Sequence, residues 1–114
     1  DTRDDLSYIV RKVAGARIFP DGDGVMNVAL EDTPEPQILA ISQFTLLGDM
    51  RKGKRPSYNR AAPPEHANEL YERACAEWRG MGIAVGRGVF RAAMRVSYTN
   101  VGPVTILIDS RKLF

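Results

Sequence analysis

The chain has 114 residues, 44% of them hydrophobic and 26% charged, with 16 basic against 14 acidic side chains. That composition excludes disordered and fibrous classes, and a net charge of +2 is too small to argue for nucleic acid by itself. One cysteine, Cys75, and one histidine, His66, exclude an internal disulfide and a Cys/His zinc site, and no apolar run reaches the ~20 residues of a membrane span.

Taken in chain order, Thr2 and Asp5 have capping-box spacing, and Leu6, Ile9, Val10 and Val13 then recur at helical intervals, predicting an amphipathic helix that ends near Gly15. Residues 16–19 and 25–30, with Met26, Val28 and Leu30 on one face, flank the turn signal Pro20-Asp21-Gly22-Asp23-Gly24 and read as a hairpin. The Asp/Gly turn lacks the downstream glutamate and helix of a calcium loop, so a plain turn is expected. Residues 38–47 form a nearly continuous apolar run that suits a central strand covered on both faces, interrupted by Ser42, Gln43 and Thr45. Pro63-Pro64 then opens a second helix whose buried stripe is Ala67, Leu70, Tyr71, Ala74, Cys75, Trp78 and Met81. Cys75 is therefore expected in the core, and His66, in the first turn and off the stripe, in solvent. Residues 83–89, 94–99 and 104–109 read as strands, giving a mixed α/β domain over residues 1–114 with two helices and about six strands.

Three segments are candidates for chemistry. Twelve of the 16 basic residues are arginine, and the stretch from Arg51 to Arg60 carries five positive charges and no negative one, with Tyr58 among them. Such a loop could grip phosphates or be a solvated basic surface. Ser42-Gln43-Phe44-Thr45 ends an apolar run, where main-chain N–H groups leave the ladder and become free to meet a ligand, or where the hydroxyls simply cap a strand end. Asn100-Val101-Gly102-Pro103-Val104-Thr105 is a tight connection in which a cis X-Pro bond is plausible, or a plain hairpin turn.

Together these segments resemble the D-aminoacyl-tRNA deacylase family, also called D-tyrosyl-tRNA deacylase. The family's Ser-Gln-Phe-Thr-Leu motif stands here as Ser42 to Leu46, and its Asn-X-Gly-Pro-(Val or Met)-Thr motif as Asn100 to Thr105. Between them Arg51-Lys52-Gly53, Pro56-Ser57-Tyr58, Ala61-Ala62-Pro63-Pro64 and Leu70-Tyr71-Glu72-Arg73 also match, so the resemblance runs from Asp1 to Ser110. There are departures. The N-terminal stretch of about 40 residues with which members begin has no counterpart, so the chain is expected to be N-terminally truncated relative to the family. Arg91 stands in Phe90-Arg91-Ala92-Ala93-Met94 where many members have Gly or Ala, and Val101 replaces an acidic residue before Gly-Pro; both bear on substrate preference.

The resemblance implies a layered α/β/β fold and a cytoplasmic hydrolase that cleaves the ester of D-aminoacyl-tRNA and rejects L-aminoacyl-tRNA, without metal or cofactor. It places Ser42, Gln43, Phe44 and Thr45 at the catalytic centre. It assigns Gly102, Pro103, Asn100, Phe90 and Met94 to substrate binding and chiral selection, and gives tRNA contact to Arg51, Lys52, Lys54 and Arg55. It further implies a homodimer in which a cis Gly-Pro turn enters the partner's site. The residue inventory fits catalysis by positioning, because no Ser-His-Asp or Cys-His set is available and main-chain N–H groups near Phe44 and Thr45 remain as oxyanion donors. Thr45 is then expected to position the ester first and to act as a nucleophile second. The alternative reading is a tRNA-binding module whose catalysis is impaired; an unrelated small-ligand domain would require both motif matches to arise by chance.

Overall fold

The computed structural model describes residues 1–114. Helix α1 spans Arg3–Gly15. Its start is the expected reciprocal cap: the Thr2 hydroxyl accepts from the Asp5 N–H, and the Asp5 carboxylate accepts from the Thr2 N–H at 2.7 Å. The helix buries Leu6, Val10 and Ala14 against α2, Pro64–Gly80, which has proline in its first turn, where a missing N–H is harmless. From α2, Cys75 and Trp78 are buried, with Leu70, Tyr71 and Ala74 packed beside them. The Trp78 indole N–H donates to the Val10 carbonyl at 3.2 Å, tying the two helices through a buried bond. Leu30, Ala40 and Ile83 complete this core.

Met81 departs from the predicted stripe. The helix stops one residue earlier, and Met81 caps it facing solvent. Gly82 turns left-handed at φ +83°, the Gly82 N–H bonds the Arg79 carbonyl, and the Ile83 N–H reaches back to the Trp78 carbonyl. That glycine-based stop carries Ile83, rather than Met81, into the core.

Two small sheets accompany the helices. In the first, β1 (Phe19–Pro20) pairs antiparallel with β2 (Met26–Val28) around a turn whose Asp21 carboxylate accepts the Asp23 and Val25 N–H groups. The predicted hairpin is therefore present but shorter; Met26 is exposed, and Leu30 reaches the core from a 3-10 turn at Leu30–Asp32 instead of a strand. In the second sheet, β3 (Gln37–Ala40) pairs in parallel with β4 (Ala84–Arg87), Gln37 opposite Ala84 and Ala40 opposite Arg87, with α2 in the crossover.

The fold is mixed α/β as expected, but the strand inventory is corrected. The run at 38–47 leaves the sheet after Ala40, and Leu39 is 59% exposed rather than covered, because β3 belongs to a two-stranded sheet that presents this side chain to solvent. Residues 94–99 and 104–109 form no ladder, so four short strands stand where about six were expected. Alternation in sequence offers a face, whereas a strand exists only where a neighbour takes its N–H and C=O groups. No helix is long and apolar enough to cross a membrane.

Candidate functional site at the end of the parallel sheet

The carbonyl of Ala40, the last residue of β3, accepts from the Gly88 N–H at 3.2 Å and from the Tyr71 hydroxyl at 2.8 Å. The chain then leaves the sheet through Ile41, Ser42 and Gln43 and closes into a single 3-10 turn, Phe44–Leu47. Such a turn leaves its first N–H groups without an internal acceptor. The Leu46 N–H bonds the Gln43 carbonyl and the Gly48 N–H bonds the Thr45 carbonyl, but the N–H groups of Phe44 and Thr45 donate to no protein atom. Two adjacent free donors therefore lie on an exposed turn. The Gln43 carboxamide donates to the Thr45 hydroxyl oxygen, which orients that oxygen and leaves the hydroxyl proton for a ligand. Ser42 is half-buried; Gln43, Phe44 and Thr45 are exposed.

Phe90 and Met94 approach the same end of β3. The Phe90 ring lies 6.1 Å from Tyr71, which is itself bonded to Ala40. The Met94 thioether and the Ile41 side chain meet over Gly88, where a Cβ would come within 2.5 Å of Met94 Sδ and 3.2 Å of Ile41 Cδ1. Between Phe90 and Met94 the chain bends through Arg91, left-handed at φ 64° and exposed.

The second motif is held by its own side chain. Asn100 Oδ1 accepts the Val104 N–H at 2.9 Å, and its amide nitrogen donates to the Thr105 hydroxyl at 3.3 Å. The Gly102–Pro103 bond is cis and Gly102 has φ +130°. Gly102 and Pro103 are exposed, and no hydrogen bond joins this turn to Ser42–Thr45 within the chain.

The basic loop is closed at its base, where Asp49 and Ser57 exchange main-chain hydrogen bonds at 2.8 and 3.0 Å. Arg51 grips the Asp49 carboxylate bidentately, Nε to Oδ1 at 2.9 Å and Nη2 to Oδ2 at 2.6 Å. These bonds hold the Asp49 carboxyl at about 2, well below the usual range. The Arg51 guanidinium is thus already engaged, whereas Lys52, Lys54 and Arg55 are exposed and form no ion pair. Asp49 escaped the sequence reading because it lies just outside the basic run; an acid two residues before an arginine was the available signal. Tyr58, in sequence an aromatic among cations and part of the Pro56-Ser57-Tyr58 match, packs its ring edge-to-face on Phe44, centroids 5.0 Å apart and planes at 74°.

The remaining nucleophiles and bases are elsewhere. His66 Nε2 sits 2.7 Å from the Asp1 carbonyl at the start of α2, and Cys75 is fully buried. No group of three or more His, Cys, Asp or Glu side chains that could hold a metal ion is present.

The chain is similar to known proteins over most of its length. The sequence model of the family described as D-Tyr-tRNA(Tyr) deacylase matches residues 1–109. A D-aminoacyl-tRNA deacylase of Desulfitobacterium hafniense is 55% identical over 114 residues, covering 100% of this chain and 76% of the relative. A D-aminoacyl-tRNA deacylase of Thermotoga petrophila is 51% identical with the same coverage. Among solved structures, the c-Myc DNA Unwinding Element Binding Protein superposes with a TM-score of 0.82 at 34% identity, covering 93% of this chain and 72% of that one.

Proposed function

This chain belongs to the D-Tyr-tRNA(Tyr) deacylase family, and from that premise we infer that it hydrolyses the ester joining a D-amino acid to the terminal ribose of tRNA. The observation that carries the reading is the pair of free N–H groups of Phe44 and Thr45 at the exit of β3, in a chain with no side-chain dyad at hand. Water attack on the ester carbonyl builds negative charge on oxygen, and fixed main-chain donors aimed at that oxygen lower the barrier with little reorganisation. The aminoacyl ester is already activated, and the neighbouring ribose hydroxyl can assist the attacking water or the leaving oxygen. Thr45, oriented by Gln43, holds the ester by its hydroxyl proton. Ser42 lines the approach, with Phe90 and Met94 flanking it from the β4 side.

In this reading Asn100 holds the Gly102–Pro103 turn rigid, and that turn serves as the chiral filter of a second subunit's site. Main-chain carbonyls there reject an L side chain by collision, while the D side chain points away and is little constrained. The filter requires a two-fold dimer. Its support is the apolar surface beside the turn, where Tyr98 is 76% and Val101 82% exposed. Residues 1–114 act as one domain, the Lys52, Lys54 and Arg55 loop contacts tRNA phosphates, and the substrate places the enzyme in the cytoplasm.

The test is deacylation of D-tyrosyl-tRNA and L-tyrosyl-tRNA by the purified protein. Hydrolysis of the D ester with the L ester left intact is expected; equal rates contradict the filter. Salt-dependent tRNA binding without ester cleavage would favour the binding-module reading.

A further inference from the structure

We propose that Tyr58 is a positioning residue for deacylation, latching the base of the basic loop onto the 3-10 turn that presents the Phe44 and Thr45 donors. The inference rests on the function argued above and adds to it a residue outside both motifs.

An isolated 3-10 turn is a weak element, and this one buries none of its own residues. Phe44, whose N–H is one of the two donors, is 61% exposed and would be free to swing. Its aromatic partner is Tyr58, met edge-to-face at 5.0 Å, the geometry that ring quadrupoles favour. Gly48 makes that approach possible. Its φ of −62° suits any residue, so conformation does not require glycine there. Close approach does: a Cβ at 48 would lie 3.1 Å from Tyr58 Cε1 and 3.0 Å from the Thr45 carbonyl oxygen. The next residue, Asp49, exchanges its two main-chain bonds with Ser57, the residue before Tyr58. Glycine, ladder and ring therefore converge on one junction between loop and turn. The loop divides its work along its length: cations at the tip meet RNA, and the ring at the base holds the donors in place. A displacement of about 1 Å at such donors costs on the order of 10²-fold in rate.

The test compares Tyr58→Ala, Tyr58→Phe and Gly48→Ala by separate kcat and KM on D-tyrosyl-tRNA, and by the amide NMR shifts of Phe44 and Thr45. In Tyr58→Ala, kcat is expected to fall about 10²-fold with KM within about 3-fold, and Tyr58→Phe, which keeps the ring, to return kcat to within about 3-fold. The Phe44 and Thr45 amide shifts should move in Tyr58→Ala and Gly48→Ala and stay in Tyr58→Phe. A loss confined to KM would make Tyr58 an RNA contact and overturn the latch, as would Tyr58→Phe being as poor as alanine, or unmoved shifts. Absence of hydrolysis by the parent protein would overturn the function alone, while displaced amide shifts would still support the latch.

Discussion

Replacing Lys52, Lys54 and Arg55 together by alanine removes three exposed cations that no carboxylate engages, whereas Arg51→Ala removes one already held by Asp49. Each phosphate contact contributes a slope of roughly 0.7–0.9 to the fall of log K with log salt, so the triple variant should lose roughly 2–2.7 of that slope. Between about 50 and about 200 mM salt, the parent protein should then lose roughly 20–40-fold more affinity than the variant. Arg51→Ala alone should reduce the slope by clearly less than one contact's share, since freeing its guanidinium for phosphate would first require breaking a bidentate pair. The assay is tRNA binding by fluorescence anisotropy across a salt series. A triple variant with the parental slope would return the loop to plain solvated surface, and Arg51→Ala matching a full contact would refute the claim that Asp49 withholds it.

Cys75 is fully buried with no polar partner, so Cys75→Ser strands a hydroxyl in the core; the expected cost of ~1–3 kcal/mol lowers the thermal midpoint by roughly 5–15 °C. Deacylation measured below that midpoint should persist, and its loss in a folded variant would make the thiol a participant. Gly102→Ala forces a side chain at φ +130° with Cβ 2.8 Å from Val104 Cγ2 and 3.0 Å from the Val104 nitrogen, so the turn must change shape. Hydrolysis should be abolished while the midpoint of this exposed turn's host moves little; full activity would contradict the filter. For Asp49, the depressed carboxyl means that its contribution to folding is complete above the ordinary 3.8 and is lost as pH falls through about 2. A carboxyl NMR titration should show that low midpoint, and a midpoint near 3.8 would deny the pair with Arg51.

Local signals were legible in the sequence because local chemistry decides them. Thr2 and Asp5 cap a helix wherever the following residues favour one, and the stripe through Leu70, Cys75 and Trp78 needs only helical periodicity to find the core. The Pro20 to Gly24 turn likewise fixed a hairpin, though not its length. Strands were overcounted because pairing is not local: residues 94–99 and 104–109 alternate as strands do yet have no ladder here. The run through Ile38 hid the bend after Ala40, since apolar continuity does not mark where main-chain bonding ends. At the site, Ser42 to Thr45 and the Gly102–Pro103 turn were legible as motifs. The Asp49–Arg51 pair was signalled only by an acid two residues before an arginine, just outside the basic run, and the Tyr58–Phe44 contact was not legible, because it depends on how a loop folds back on its own base.

The central claim is that main-chain donors, with Thr45 as a positioning group, carry out hydrolysis without a covalent intermediate. Its most direct test is a single turnover on D-tyrosyl-tRNA, quenched in acid before completion and followed by intact-protein and peptide mass measurement. Unmodified protein at every time point, with Thr45→Ala slowed and Thr45→Ser largely restored, is the predicted result. A tyrosyl adduct on Thr45 that forms and decays at the rate of product release would contradict it.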